Sequence, residues 1–329
     1  MNIGIFFDGF GSSHEMLDVA RQAENAGARS IWFAQHMGYR DAIVWAAASA
    51  AVTREAMLVP MAISPYLWPP LPVAMAMATL AELAPARVGL CVSVGNLLNL
   101  AESGWEEVTQ PVRTLREYME ALRALRRGEA VRQEGAVNKL RGAKMEMDGG
   151  GEYPLYLAST GPRMLALAGQ MADGFLLSAG QTLASCKRCI EAARAGADRA
   201  GRDFGTVRKA SLINLNVSRD GVSAKRATLR KLAFLFRSRG HAENIKSSGL
   251  AIDHNKIIEA MSRHDLDAAA SMLPLEAASA FAVSGTPDEC AARLSAYLSV
   301  GVDEVIIELS GSAEERQLAL QVLQQTATA

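Results

Sequence analysis

A chain of 329 residues, 50% of them hydrophobic, is long for one core, but an α/β barrel reaches this size as a single domain. A formal net charge of −1 without long basic blocks argues against nucleic acid as a partner, which needs clustered Lys and Arg. The longest apolar stretch, Ala42–Val52, is too short and alanine-rich to span a bilayer, and no basic region precedes the apolar N-terminus, so no membrane association and a cytoplasmic location are expected.

Strand and helix signals alternate along the chain, which predicts parallel βαβ units. Ile3–Asp8 reads as strand 1, followed by a helix from Ser13 to Ala26 that Gly27 closes. Strand 2 covers Ser30–Ala34, with helix Ile43–Thr53 after it. Strand 3, Met57–Ser64, leads through the proline-rich Pro65–Pro72 to helix Val73–Leu83. Strand 4, Arg87–Val94, ends at Gly95-Asn96, and helix Val112–Arg127 follows. Val131–Met147 reads as a small hairpin. Leu155–Ala158 and Gly174–Ser178 are strands 5 and 6, followed by helix Leu183–Arg202. Strand 7 is Ala210–Val217, and strand 8 is Glu304–Leu309 with a terminal helix beyond Ser312.

Eight alternating strands predict a (β/α)8 TIM barrel, one domain over 1–329 with insertions at about 131–150 and 220–280 on the C-terminal face. Such insertions cover active sites, so the second is expected to act as a substrate lid. The competing doubly wound sheet needs G-x-G-x-x-G after an early strand, and Gly9-Phe10-Gly11 lacks the third glycine.

Four cysteines are too few for a disulfide framework, and Cys186-x-x-Cys189 lies inside a helical run, away from the exposed helix start that redox motifs use. No other Cys or His spacing suits zinc, so no metal is expected. Arg123, Arg126 and Arg127 read as a solvated helix terminus.

In a barrel, chemistry sits at the C-terminal strand ends. After strand 5, Ser159-Thr160-Gly161-Pro162-Arg163 opens a helix. Ser159 or Thr160 can cap it and Pro162 suits its first turn, so free N–H groups would converge where an anion could sit. An ordinary βαβ connection is the alternative. Strand 2 gives way to Gln35-His36, with Arg40-Asp41 following; His36 is either a functional group or a structural one. Strand 4 ends in Gly95-Asn96, where glycine permits close approach of a flat ring and Asn can bond a carbonyl.

The stretch Ala158-Ser-Thr-Gly-Pro-Arg163, continuing through Leu165, Leu167-Ala-Gly169 and Ala172-Asp-Gly174, resembles the phosphate-gripping segment of the luciferase-like flavin and deazaflavin oxidoreductases, most of all the branch of F420-dependent methylenetetrahydromethanopterin reductases. Trp32, His36 and Arg40, the Gly95-Asn96 turn, Val108-Thr109-x-Pro111-Val112-Arg113, and Val283-Ser-Gly-Thr-Pro-Asp-Glu289 carry the same resemblance.

It implies hydride transfer between coenzyme F420 and a small organic substrate, with His36 catalytic. The phosphate would rest on Ser159, Thr160, Gly161, Pro162 and Arg163 with Leu177, Ser178 and Ala179, and the ring near Gly95, Asn96 and a bulge at Ala62, Ile63 and Ser64. The resemblance also implies a non-proline cis peptide in that bulge, at Ala62-Ile63 or Ile63-Ser64, against which a regular trans strand stands as alternative. Relatives often carry Asp where this chain has Gln35, and the archaeal reductases carry Glu where it has Phe6, so the proton donor is open. An FMN-dependent monooxygenase is the alternative reading, and a non-catalytic flavin-binding barrel the second. The nearly all-apolar helix Ile43–Thr53 predicts a homodimer through the helices beside strands 2–4.

Overall fold

The computed structural model describes residues 2–309 and 311–328. In chain order its elements are β1 (Asn2–Phe7), α1 (Ser13–Asn25), β2 (Ser30–Ala34), α2 (Ala42–Ala50), β3 (Met57–Met61), α3 (Pro70–Leu83), β4 (Leu90–Val92), α4 (Leu97–Glu102), α5 (Pro111–Arg126), β5 (Val131–Glu134), β6 (Lys139–Ala143), β7 (Leu155–Ala158), α6 (Pro162–Met171), β8 (Gly174–Leu177), α7 (Leu183–Arg199), β9 (Arg208–Ile213) and β10 (Leu215–Val217). The chain continues through α8 (Gly221–Phe236), α9 (Ala242–Ser247), α10 (His254–Ser262), α11 (Leu266–Ser271), α12 (Glu276–Phe281), β11 (Val283–Gly285), α13 (Pro287–Ser299), β12 (Glu304–Glu308) and α14 (Ala313–Thr328).

Eight parallel strands pair in the order β3-β2-β1-β12-β9-β8-β7-β4, and parallel bridges Leu58–Val88 and Ile63–Val92 join the two ends of that order. The result is a (β/α)8 barrel. Alternation along each strand divides its side chains between two cores. Ile3, Ile5 and Phe7 of β1, with Ile31 and Phe33 of β2, pack outward under the helices. Phe6, Trp32, Val59, Met61, Cys91, Tyr156, Leu176, Ala210 and Ile306 fill the interior, where Trp32 meets Tyr156 edge-on at 5.0 Å. Strands buried on both faces explain the near-continuous apolar runs in the sequence.

Local chemistry starts the surrounding helices. Ser12 accepts from the Glu15 N–H, Asp41 from those of Ile43 and Val44, and Thr182 from that of Ser185. Thr286 and Glu289 form a complete capping box at α13.

Several boundaries differ from the sequence reading. Strand 3 stops at Met61, and strand 4 contracts to Leu90–Val92. The predicted strand 7 breaks at Asn214 into β9, which belongs to the barrel, and β10, which pairs with β11 instead. The short helix α4 has no counterpart in the sequence reading. Arg126 is no solvated terminus, since it is buried, donates to the Tyr153 carbonyl at 2.7 Å, and pairs with Glu152.

Residues 131–143 form an antiparallel hairpin whose turn reaches up the barrel wall, where Asn138 Nδ2 donates to the Pro65 carbonyl at 3.1 Å. Helices α8–α12 build a separate core around Leu232, Phe236, Ile257 and Phe281. They lie between β10 and β11, above the C-terminal ends of the barrel strands, so Thr228 accepts from Asn216 Nδ2 at 2.9 Å and Lys231 reaches Glu308.

Candidate active site

At the end of β2, His36 is half-buried, with Nδ1 2.7 Å from the Asp8 carbonyl and its ring stacked on Phe10 at 5.3 Å. A carbonyl only accepts, so Nδ1 carries the proton there and Nε2 is left for another partner. Arg40 ties the same loop down by donating to the carbonyls of Gly9 and Phe10, each at 3.1 Å. Gln35 serves the fold, because its Oε1 accepts from the Ala42 N–H at 2.8 Å and caps α2 together with Asp41.

The β3 bulge contains a cis peptide at Met61-Ala62, one bond before Ala62-Ile63 and two before Ile63-Ser64, the positions expected. Ala62 packs against the interior cluster, while Ile63 turns into the outer core and bridges to Val92. Ser64 is buried, and its hydroxyl donates to the Val94 carbonyl at 2.6 Å. The φ of Gly95 is +98°, which favours glycine, and a Cβ there would press on the Ser64 side chain at 3.3 Å. Asn96 is exposed beside it, at the start of α4.

The helix after β7 begins differently from the expectation. Its N-cap is Gly161 rather than Ser159 or Thr160, and no side chain caps it. Ser159 Oγ instead accepts from the Gly161 N–H at 3.0 Å. With the Gly161 N–H on Ser159 Oγ, no N–H on Pro162 and the Met164 N–H on the Gly161 carbonyl, the first turn of α6 keeps the Arg163 N–H available to an anion. In front lies a cavity of about 840 Å³ lined by Ser159, Gly161, Pro162 and Arg163 on one side and by Gln110, Arg113 and Arg116 from the start of α5 on the other. Gln110 there holds a left-handed conformation, φ +50°. Ser178 is exposed and Ala179 buried, whereas Leu177 packs into the outer core, away from the interior that its neighbour Leu176 faces. The Leu177 side chain thus turns away from the barrel interior, although the residue ends β8.

The structure adds residues the sequence did not single out. Counting inward positions up β1 gives Gly4, Phe6 and Asp8, and up β12 gives Glu304, Ile306 and Glu308. Asp8 and Glu308 both line a cavity of about 270 Å³ that includes Phe6. Glu308 pairs with Lys231 at 3.1 Å. The alternation of β12 was the available signal, since it puts two carboxylates on a barrel-facing side.

All four cysteines are free and buried. Burial pushes the Cys186 thiol up to about 12 and raises that of Cys189, which suits structural rather than redox thiols. No group of three metal-ligating side chains occurs among the described residues, and none of their helices is long and apolar enough to cross a membrane.

Residues 1–304 match the family profile of luciferase-like monooxygenases. A 5,10-methylenetetrahydromethanopterin reductase of Archaeoglobus fulgidus is 29% identical over 315 residues, 93% of this chain and 92% of its own length. An F420-dependent glucose-6-phosphate dehydrogenase of Rhodococcus hoagii is 28% identical over 321 residues, 93% of this chain and 90% of its own. Among solved structures, a coenzyme F420-dependent tetrahydromethanopterin reductase of Methanopyrus kandleri superposes with a TM-score of 0.89 at 22% identity, covering 99% of this chain and 97% of that one.

Proposed function

This chain belongs to the luciferase-like monooxygenase family, and we propose that within it the protein is an oxidoreductase that uses coenzyme F420 to move a hydride to or from a small organic substrate. The observation that carries this reading is the start of α6, without a side-chain cap, facing a cavity lined by Arg113, Arg116 and Arg163. These residues fit a phosphate-bearing cofactor: the Arg163 N–H, a helix dipole and the three arginines meet the anion, and a Cβ at Gly161 would touch nothing nearer than Ser159 Oγ at 3.6 Å. The F420 dependence of the Rhodococcus hoagii dehydrogenase and of the Methanopyrus kandleri reductase supports the choice of deazaflavin. When bound, that group would carry the two-electron chemistry; the chain's part is to hold its phosphate on Ser159–Arg163, to back its ring with Ala62 and Gly95, and to present His36.

Titrating the purified protein with F420, FMN and FAD in parallel tests the assignment. F420 is expected to bind tightest, and to support anaerobic turnover with methylenetetrahydromethanopterin or glucose 6-phosphate as first probes. Preference for FMN with oxygen-dependent turnover would replace it with a monooxygenase reading. Cytoplasmic conditions suit four unpaired thiols.

We also propose a homodimer. Val44 on α2 and Met75 and Leu83 on α3 are 66%, 51% and 56% exposed on helices rich in alanine, and small residues let a second copy approach closely. Light scattering at micromolar concentration is expected to give twice the chain mass, falling to one in Val44→Lys; a monomeric wild type overturns the proposal.

A further inference from the structure

Strand β1 offers no proton-active side chain at Phe6, yet its register partner on β12 does: Phe6 pairs with Glu308 as it does with Trp32 on the other side. Glu308 stands on the barrel-facing side of β12, lines the cavity shared with Phe6 and Asp8, and keeps 16% of its side chain accessible. The charged groups around it are few. Lys231 of α8 meets its carboxylate at 3.1 Å, Glu15 of α1 is engaged by Arg316 of α14 at 2.7 Å, and Asp8 accepts from the Phe10 N–H at 2.9 Å. Glu315 is occupied at the start of α14, bonding the Ser312 N–H at 2.7 Å. Glu308 is therefore a carboxylate at the C-terminal end of β12, paired with a residue of the 221–281 segment and lining a cavity that runs between the ends of β1 and β12 and the first turns of α1 and α14.

Resting on the F420 reading above, we propose that Glu308 is the proton-transfer group that accompanies hydride transfer, and that Lys231 is its positioning residue. For an alcohol or hemiacetal substrate in the oxidative direction, the carbinol C–H bond would break, its hydrogen and electron pair would reduce the bound deazaflavin, and the carbinol carbon would become a carbonyl. The hydroxyl proton goes to the Glu308 carboxylate. In the reductive direction the acid returns that proton to the carbonyl oxygen. Through the ion pair, the 221–281 segment sets the orientation of the acid.

On this proposal the negative charge added on cofactor reduction lies within reach of Glu308 and would draw a proton to that carboxylate. Infrared difference spectroscopy of the F420-loaded full chain, reduced minus oxidised, reads this without any substrate. The expected result is a carboxylic-acid C=O band that shifts in deuterium oxide, disappears in Glu308→Gln, changes frequency in Lys231→Met, and persists in Glu304→Gln. No such band in the wild type overturns the proposal without recourse to a variant, as does a band that survives Glu308→Gln or is lost in Asp8→Asn. Failure of F420 to bind at all, seen in the preceding titration, removes the cofactor reading and this proposal together; binding with an unresponsive carboxyl removes this proposal alone.

Discussion

Glu304 and Glu308 occupy the same face of β12, and the two ends of the barrel treat them in opposite ways. At the N-terminal end Glu304 accepts from the Ser30 hydroxyl, Ser30 accepts from Trp32 Nε1 at 2.7 Å, and Arg208 reaches the Tyr156 hydroxyl at 3.3 Å. A Cβ on Gly4 would strike Ser30 Oγ at 2.3 Å, so the first strand gives up a side chain to admit this network. At the C-terminal end Glu308 has one cation and a cavity. A polar group closed in by partners adds to the fold; a polar group left one face open is available for chemistry. The same strand supplies both, and only position along the barrel axis separates them.

The sharpest way to break this contrast is at the mouth. His36→Ala removes the ring nitrogen, Nε2, that the proposed function turns toward the reacting groups, and turnover is expected to fall about 100-fold. Its one structural bond, to the Asp8 carbonyl, is worth about 1 kcal/mol, so the melting temperature should change little. Full turnover in the variant, or loss of activity only through unfolding, would return His36 to the structural class represented by Ser30 and Glu304.

A smaller effect is expected at the anion cradle. Gly161 has φ −78°, which any residue can adopt, so Gly161→Asp should fold and, as a better N-cap, gain a few tenths of a kcal/mol. The added charge faces the bound phosphate, and F420 affinity should drop on the order of tenfold. A titration that finds undiminished affinity in a folded variant would move the phosphate elsewhere.

Much of the barrel was legible because period-two and period-3.6 patterns are written locally. Thr286-Pro287-Asp288-Glu289 announces its helix, and the predicted limits of strand 2 coincide with those observed. What was not legible depended on contacts far apart in sequence. The break at Asn214 follows from β10 pairing with β11, some 70 residues on, across a segment with a core of its own. Arg126 looked like a helix-end cation until Glu152 and Tyr153 came back to bury it. At the site, His36 and the Ser159–Arg163 start were visible as motifs, whereas Glu308 gains meaning only from its register with Phe6 and from Lys231 overhead. Leu177 shows the converse: one step along β8 exchanges the interior for the outer core.

The smallest predicted effect tests the closed end of the barrel through pH. Burial raises the Glu304 carboxyl above its ordinary value of 4.5, with Asp303 adding to the shift and the Ser30 hydroxyl and Arg208 opposing it. The native state therefore holds a proton over a pH window in which the unfolded chain has already lost it. With more protons bound in the native state, stability falls as pH rises through that window, by no more than about 1.4 kcal/mol per pH unit for one group. Glu304→Gln keeps the size and a hydrogen-bonding side chain but cannot titrate, so the wild-type advantage over the variant should be largest near the ordinary carboxylate value and shrink as pH rises above it. Urea unfolding of both proteins from about pH 4 to about pH 7 measures that difference directly. A difference that is flat, or that grows with pH, would mean that Arg208 and Ser30 outweigh burial, and Glu304 would then be an ionised partner in its network rather than a protonated one.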